Sequence, residues 1–287
     1  MLVQLFVSGI SMGMIYALMA MGLILIVKAV GVLNFAHGDI FVLGSFIAYM
    51  FIEQMNLPFV IAFVLATAIY VLFGVIFMLA VYWPLRDAAW IVTVTISTIG
   101  ASMALNESVR FLWGPFPLNM RPIVGGALTI GNISLEYQYL FIIGIASLLI
   151  YFVFMLFERS FIGKQMQATA QDRYAAEMMG IPTVITIAGT YGISIALSGV
   201  GGMLAGPLFL VSQSLNTFAL KAFAGIVIGG FGSIKGAVVG SLLIGLIEAY
   251  STLITTTYKD AMVFLVLILV LIVRPQGLFG EKIADKA

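Results

Sequence analysis

Nine stretches of apolar sequence, near residues 5–27, 37–54, 58–82, 89–112, 138–157, 183–211, 218–231, 236–256 and 259–273, follow one another with short polar breaks. A helix needs about 20 apolar residues to cover the roughly 30 Å of hydrocarbon in a bilayer. Backbone amides inside that layer have no water to bond to, so each crossing must satisfy its own hydrogen bonds as a helix. Charged residues make up only 9% of the chain, against roughly 25% in a soluble domain. The expected fold is an all-α polytopic membrane helix bundle with about 8–10 spans, 218–231 being the shortest of them. The first run, Leu2 to Val27, is too long for a signal-peptide core and lacks a basic leader, so it reads as a retained span. There is no cysteine and one histidine, which excludes a disulfide frame and a His/Cys metal cluster. A net charge of +1 with no basic tract offers nothing to nucleic acid. The Asn132-Ile-Ser134 sequon reads as chance.

The spans sort the Lys and Arg residues unevenly. Lys28, Arg86, Arg159, Lys164, Arg173, Lys235, Arg274, Lys282 and Lys286 fall on one side; Arg110, Arg121, Lys221 and Lys259 fall on the other. By the positive-inside rule the larger group faces the cytoplasm, with the N-terminus outside and the C-terminus inside. On that side lies the one long polar island, residues 158–182. Within it Asp172 can accept from the free N–H groups of the following turn, Gly180 can take a left-handed position and Pro182 prevents continuation. Those signals predict a short helix from Arg173 to Met179. Tyr174 and Met178 share one face at i and i+4, with Ala175 and Ala176 leaving room for close approach. Such a knob suits the groove of a soluble partner or a helix lying on lipid headgroups. On the other side, residues 113–138 carry Pro115, Pro117, Pro122 and several glycines; such a loop suits an external partner or a turn-rich connector with Trp113 at the interface, and the connector is the default reading.

Glycines at four-residue spacing, such as Gly9 with Gly13 and Gly202 with Gly206, read as helix contact points. Two clusters go further: residues 34–39 (NFAHGD) and 229–236 (GGFGSIKG) set polar or helix-weakening residues directly before an apolar run, as broken or re-entrant helices do. Ser8, Gly9 and Gly13 before the first echo Ser198, Gly199 and Gly202 before the second, as a duplicated half would. Asn34, His37, Gly38, Gly230, Gly232 and Glu248 are the candidates for a translocation path. Glu248 sits on a span with no sequence-local partner, while Glu107 and Arg110, one turn apart, read as a structural pair at the outer interface. His37 and Asp39 are placed near the cytoplasmic surface, with Asp39 as a helix cap. One histidine builds no hydrolytic triad, and Gly163-Lys164 lacks the spacing of a phosphate-binding loop. Read from residues alone, an ion-coupled secondary transporter using Glu248, Asp39 or the Glu107/Arg110 pair stands as the alternative to a chain driven by ATP bound elsewhere.

Five separated motifs carry a resemblance: NFAHGD at 34–39, YWPLRD at 82–87, AQD-x-x-AA-x-x-MGI at 170–181, GGFGSIKGAVVGSLLIGLIE at 229–248 and RPQGLFG at 274–280. Together they resemble the branched-chain amino acid ABC transporter permeases of the LivH type, in order over nearly the whole chain. The resemblance implies one transmembrane permease domain over 1–287 in a bacterial inner (plasma) membrane, with a cytoplasmic coupling loop at 158–182 and a periplasmic loop at 113–138. It implies four kinds of surroundings: the lipid bilayer, a second LivM-type permease, two ATP-binding cassette subunits and a periplasmic binding protein that delivers leucine, isoleucine or valine. On this resemblance the chain is non-catalytic and binds no cofactor, ATP and Mg belonging to the partner subunits. It also makes Gln171, Asp172, Arg173, Tyr174, Ala175, Ala176, Met178 and Gly180 the ATPase-coupling residues, around an AA-x-x-x-G core. More distant importers place a Glu before that core, where this chain has Tyr174. Urea and short-chain amide permeases resemble the same family and are the alternative on substrate.

Overall fold

The computed structural model of the protein describes residues 2–86, 88, 90–130 and 133–279. Asp87, Asn132, Gly280, Lys282 and Lys286, on which parts of the motif, sequon and charge readings fall, lie outside them. The described chain runs α1 (Leu2–Val30), α2 (His37–Tyr49), α3 (Phe59–Phe77), α4 (Ile91–Trp113), a hairpin of β1 (Ala127–Ile130) and β2 (Ile133–Glu136), then α5 (Tyr137–Arg159), α6 (Phe161–Gln171) and α7 (Arg173–Met178). It continues through α8 (Thr183–Ala205), a 3-10 turn at Gln213–Thr217, α9 (Phe218–Gly229), α10 (Ile234–Ser251) and α11 (Lys259–Val273). Wide π turns extend α2 through Met50–Gln54 and α3 through Met78–Tyr82. Every apolar stretch marked in the sequence holds a helix, the short 218–231 included, although 183–211 and 236–256 leave theirs at Ala205 and Ser251. Among the described residues, five helices are long and apolar enough to cross a membrane, with α3 counted through Leu85. The fold is the expected all-α membrane bundle, with one small hairpin added.

α1 is the central post, buried without interruption from Ile15 to Ile26 and packed on α10, α8, α5 and α9. α8, the second buried helix, lies against α2, α1 and α3. Lipid tails are as apolar as Leu, so such helices gain little from hydrophobic burial against each other and depend on close backbone approach. Gly245 of α10 sits on the backbones of Gly9 and Gly13 of α1, and Gly44 of α2 on that of Gly199 of α8, each with no room for a Cβ. Outward, α3, α5 and α11 present Val60, Leu72, Leu148, Phe152, Ile268 and Ile272, the face a bilayer would solvate.

The two ends of the bundle differ. At one, Lys28, Glu158, Gln171, Gly232, Lys235 and Gln276 rim a cleft of about 980 Å³. At the other, residues 113–130 and 133–138 fold across the helix ends: Leu118 pairs with Val211, Arg121 lies 3.3 Å from Glu53, and β1 pairs with β2 in antiparallel register with Leu128 opposite Leu135. This loop is therefore an ordered cover, where the sequence suggested a connector. Its anchors reach back to residues 53 and forward to 211, a separation that local turn signals cannot reveal.

Two expectations about depth are corrected. His37 is not near the surface: its Nε2 lies 3.1 Å from the Met19 carbonyl, nine residues before Lys28 on α1 or about 14 Å along the axis. Residues 31–36 run back beside α1 in irregular backbone, so α2 starts deep in the bundle. The second glycine cluster, conversely, is not re-entrant. Gly230 and Gly232, at φ +110° and +105°, form the turn from α9 to α10 beside the cleft, and Ser233 caps α10 by accepting from the Gly236 N–H at 3.1 Å. The second break in the bundle lies earlier, in residues 206–217. There the chain leaves α8, pairs with Leu118 and returns to begin α9 at Phe218, whose ring packs on Tyr16 and Phe41.

Candidate functional site

The polar island folds as two helices. Ser160 caps α6 by accepting from the Gly163 N–H at 2.9 Å, and Asp172 caps α7 by accepting from the Ala175 N–H at 2.9 Å. α7 closes as a Schellman turn: the Ile181 N–H donates to the Ala176 carbonyl and the Gly180 N–H to that of Glu177, both at 3.0 Å, with Gly180 at φ +79°. Tyr174 and Met178 project from it at 74% and 72% exposure, and Gln171, Asp172, Ala175 and Gly180 are exposed as well. Ala176 departs from the sequence reading. It is buried, so the room it leaves is filled by this chain.

Arg173 also turns inward. Its Nε lies 3.2 Å from Glu177 Oε1, and its guanidinium lies 5.2 Å from the centre of the Trp83 ring, over which Arg86 stands at 3.7 Å. Glu177 in turn accepts from Thr183 Oγ1 at 2.6 Å, which ties α7 to the first residue of α8. That hydrogen bond, then Arg173 and the charge of Arg86, hold the Glu177 carboxyl below its ordinary value.

A second constellation lies deep in the bundle, where α2 and α9 both begin. Asp39, 2% exposed, accepts from Ser102 and from Asn106 of α4 at 3.2 Å, and from Asn216 at 3.0 Å. It is therefore not a cap. Its carboxylate sits in the first turn of α2, where the helix dipole favours a negative charge, and gathers three separate segments. Asn34 turns the chain into α2, its Oδ1 accepting from the Ala36 N–H at 3.0 Å. His37 must donate through Nε2, because a carbonyl can only accept, and its Nδ1 finds no partner among the described residues. Gly38 packs on the side chain of Asn216. Gly230 and Gly232 belong to the cleft end instead. Glu107 and Arg110 are 3.9 Å apart and exposed, as a surface pair.

The sequence profile of the family described as "Branched-chain amino acid transport system / permease component" matches residues 5–271. The chain belongs to that family. This permease is 31% identical over 301 residues to the high-affinity branched-chain amino acid transport system permease protein LivH of Escherichia coli (strain K12), covering 97% of this chain and 96% of that one. To the corresponding protein BraD of Pseudomonas aeruginosa it is 30% identical, covering 99% and 97%. Among solved structures, PsaBC from Streptococcus pneumoniae in complex with Fab is similar over 93% of this permease and 89% of that chain, at a TM-score of 0.49 and 13% identity. By its family match and its LivH and BraD relatives, the permease is a LivH-type, multi-pass membrane protein.

In the permease, Glu248 has the partners its local sequence lacks. Lys221 Nζ is 2.7 Å from Glu248 Oε1 and 2.8 Å from Asp260, Lys259 stands 3.4 Å from Glu248, and the Tyr16 hydroxyl donates to Glu248 Oε2 at 2.5 Å. Lys221, placed on the outer side by the charge sorting, is buried in this network, which binds α1, α9, α10 and α11. A charge that deep persists only when paired and hydrogen-bonded. Sequence reading missed Lys221, Trp83, Asn106 and Asn216. Lys221, Asn106 and Asn216 meet their partners across dozens of residues, and Trp83 meets Arg173 so, although its nearer cation, Arg86, lies three residues away in the same YWPLRD motif; the apolar setting of Lys221 within 218–231 was the other local signal.

Proposed function

We propose that this permease is the membrane subunit of an ATP-driven importer of branched-chain aliphatic amino acids, and that α7 is the coupling helix that seats in an ATP-binding partner. The observation that carries the proposal is α7 itself. It is a short, doubly capped helix that exposes Tyr174 and Met178 to water, on a chain with no phosphate-binding loop of its own. A helix that offered its apolar residues to lipid alone would need no cap at both ends in a polar loop; one that must present a fixed knob to a groove does. LivH and BraD are by name high-affinity branched-chain amino acid permeases, and the substrate class is taken from them.

In this reading the basic end faces the cytoplasm. ATP and Mg are held by two cassette subunits, a second LivM-type permease completes the pathway, and a periplasmic binding protein delivers the amino acid. ATP binding draws the cassettes together, α7 follows its groove, and the bundle exchanges inward-facing for outward-facing packing. Asn34, His37 and Gly38 lie at the depth where such a pathway narrows; Gly230 and Gly232 sit at its cytoplasmic mouth. Glu248 braces the wall.

Purification of the tagged chain in mild detergent from its native host tests the reading. Two ATP-binding polypeptides and a second permease are expected by mass spectrometry, and Tyr174→Asp is expected to strip the cassettes while the bundle elutes unchanged. A chain that emerges alone in several detergents, with uptake that collapses under a protonophore at constant ATP, sinks it in favour of ion-coupled transport.

A further inference from the structure

We infer that Trp83, in the YWPLRD motif, is a positioning residue for the coupling helix: its indole holds the guanidiniums of Arg86 and Arg173 and so fixes α7 to the foot of α3. This rests on the docking role proposed for α7.

Among the described residues α7 is lightly anchored beyond its packing on α6 and α8. α7 has six residues and buries only Ala176. It is joined at one end through Asp172, in extended backbone at φ −154°, and at the other through Gly180 in left-handed backbone. A helix tethered by two such joints can swivel about the line between them unless a lateral contact stops it. Glu177 to Thr183 is one contact, but it links α7 to the chain that directly follows and lies near the same pivot. Arg173 supplies the contact at the other end, reaching Trp83 on a different element.

Trp83 is well placed to receive it. After α3 the chain widens into the π turn at 78–82 and tightens into a 3-10 turn at Trp83–Leu85 with Pro84 inside it, which limits backbone freedom under the indole. Tyr82, the preceding residue, packs on Tyr191 of α8 at 5.8 Å between ring centres. Arg86 bonds back to the Trp83 carbonyl at 3.4 Å while its guanidinium stands over the ring. An indole face attracts cations, Arg above all, and the nearby Glu177 carboxylate offsets the repulsion between two guanidiniums. The turn is thereby a rigid bracket between α3, α8 and α7. A push on Tyr174 and Met178 then reaches α3 and α8 together.

The chain has no cysteine, so Met178→Cys gives one spin-label site on α7. In the purified permease alone, Trp83→Ala is expected to raise the mobility of that label, Trp83→Phe to leave it close to the parent, and Arg173→Gln to match Trp83→Ala. In the reconstituted importer, made without the label, Trp83→Ala is expected to lower substrate moved per ATP hydrolysed about fivefold, the ratio that loss of two such contacts permits. Cassettes should still co-purify, and Trp83→Phe should recover most of the ratio. An unchanged label spectrum overturns the inference, and so does a mobile label with an unchanged ratio. If Trp83→Ala does not assemble, the graded pair Trp83→Phe and Arg173→Lys decides by the same two readouts. Failure of the docking reading is seen separately, as cassettes absent from the parent preparation.

Discussion

Gly180 holds the end of α7 at φ +79° with nothing within 4 Å of where a Cβ would stand. Space is not what excludes a side chain there; backbone conformation is. A β-branched residue resists left-handed backbone at a cost of about 1–2 kcal/mol, whereas Asn visits it routinely. Gly180→Val should therefore loosen the Schellman turn and reduce both transport and stimulated ATP hydrolysis, while Gly180→Asn keeps most of each. Parental activity in the Val variant would remove Gly180 from the coupling machinery. This cap was readable from the sequence because its parts, Asp172, Gly180 and Pro182, act within a single helix. Asp39 was not. Its role comes from Ser102, Asn106 and Asn216, brought to it by the fold, and nothing near residue 39 distinguishes a cap from a hub.

At the level of elements, hydropathy located the helices well, since each must be apolar to sit in lipid whatever its neighbours. It could not say how deep a run begins. α1, the return at 31–36 and α2 form a long helix followed by a short one that starts inside the bundle; α8, the return at 206–217 and α9 repeat that plan from the opposite end. The echo of Ser8, Gly9 and Gly13 in Ser198, Gly199 and Gly202 falls on the two long helices of these units, as an inverted duplication requires. The Lys221 network then joins α9 to α1, α10 and α11. Removing one member of a buried pair strands the other charge, at about 3–5 kcal/mol, whereas removing both is often nearly neutral. Lys221→Met should lower the melting temperature in detergent strongly, and Lys221→Met with Glu248→Leu should regain much of the loss. A Glu248→Gln variant that melts like the parent but fails to transport would instead move Glu248 from the wall into the path.

Across the whole molecule, charge and packing agree on two unlike ends. Lys28 and Lys235 rim the cleft with Glu158, Arg86 and Arg173 meet at Trp83, and residues 278–279 bond to the carbonyls of Ile228 and Gly229, all at one end. The opposite end is closed by the ordered loop that carries Phe116, exposed at 77%. If the basic end is cytoplasmic, every part that must move on ATP binding lies there: α7, its bracket on α3 and the cleft beside α10. In the proposed importer, the covering loop is left to meet a delivered amino acid. In a cysteine-free chain this orientation is directly measurable. Met178→Cys should react with an impermeant maleimide only in inverted vesicles, and Phe116→Cys only in right-side-out cells. The reverse pattern would place the coupling helix outside, where no ATP-binding subunit could reach it, and the importer mechanism would fail with it.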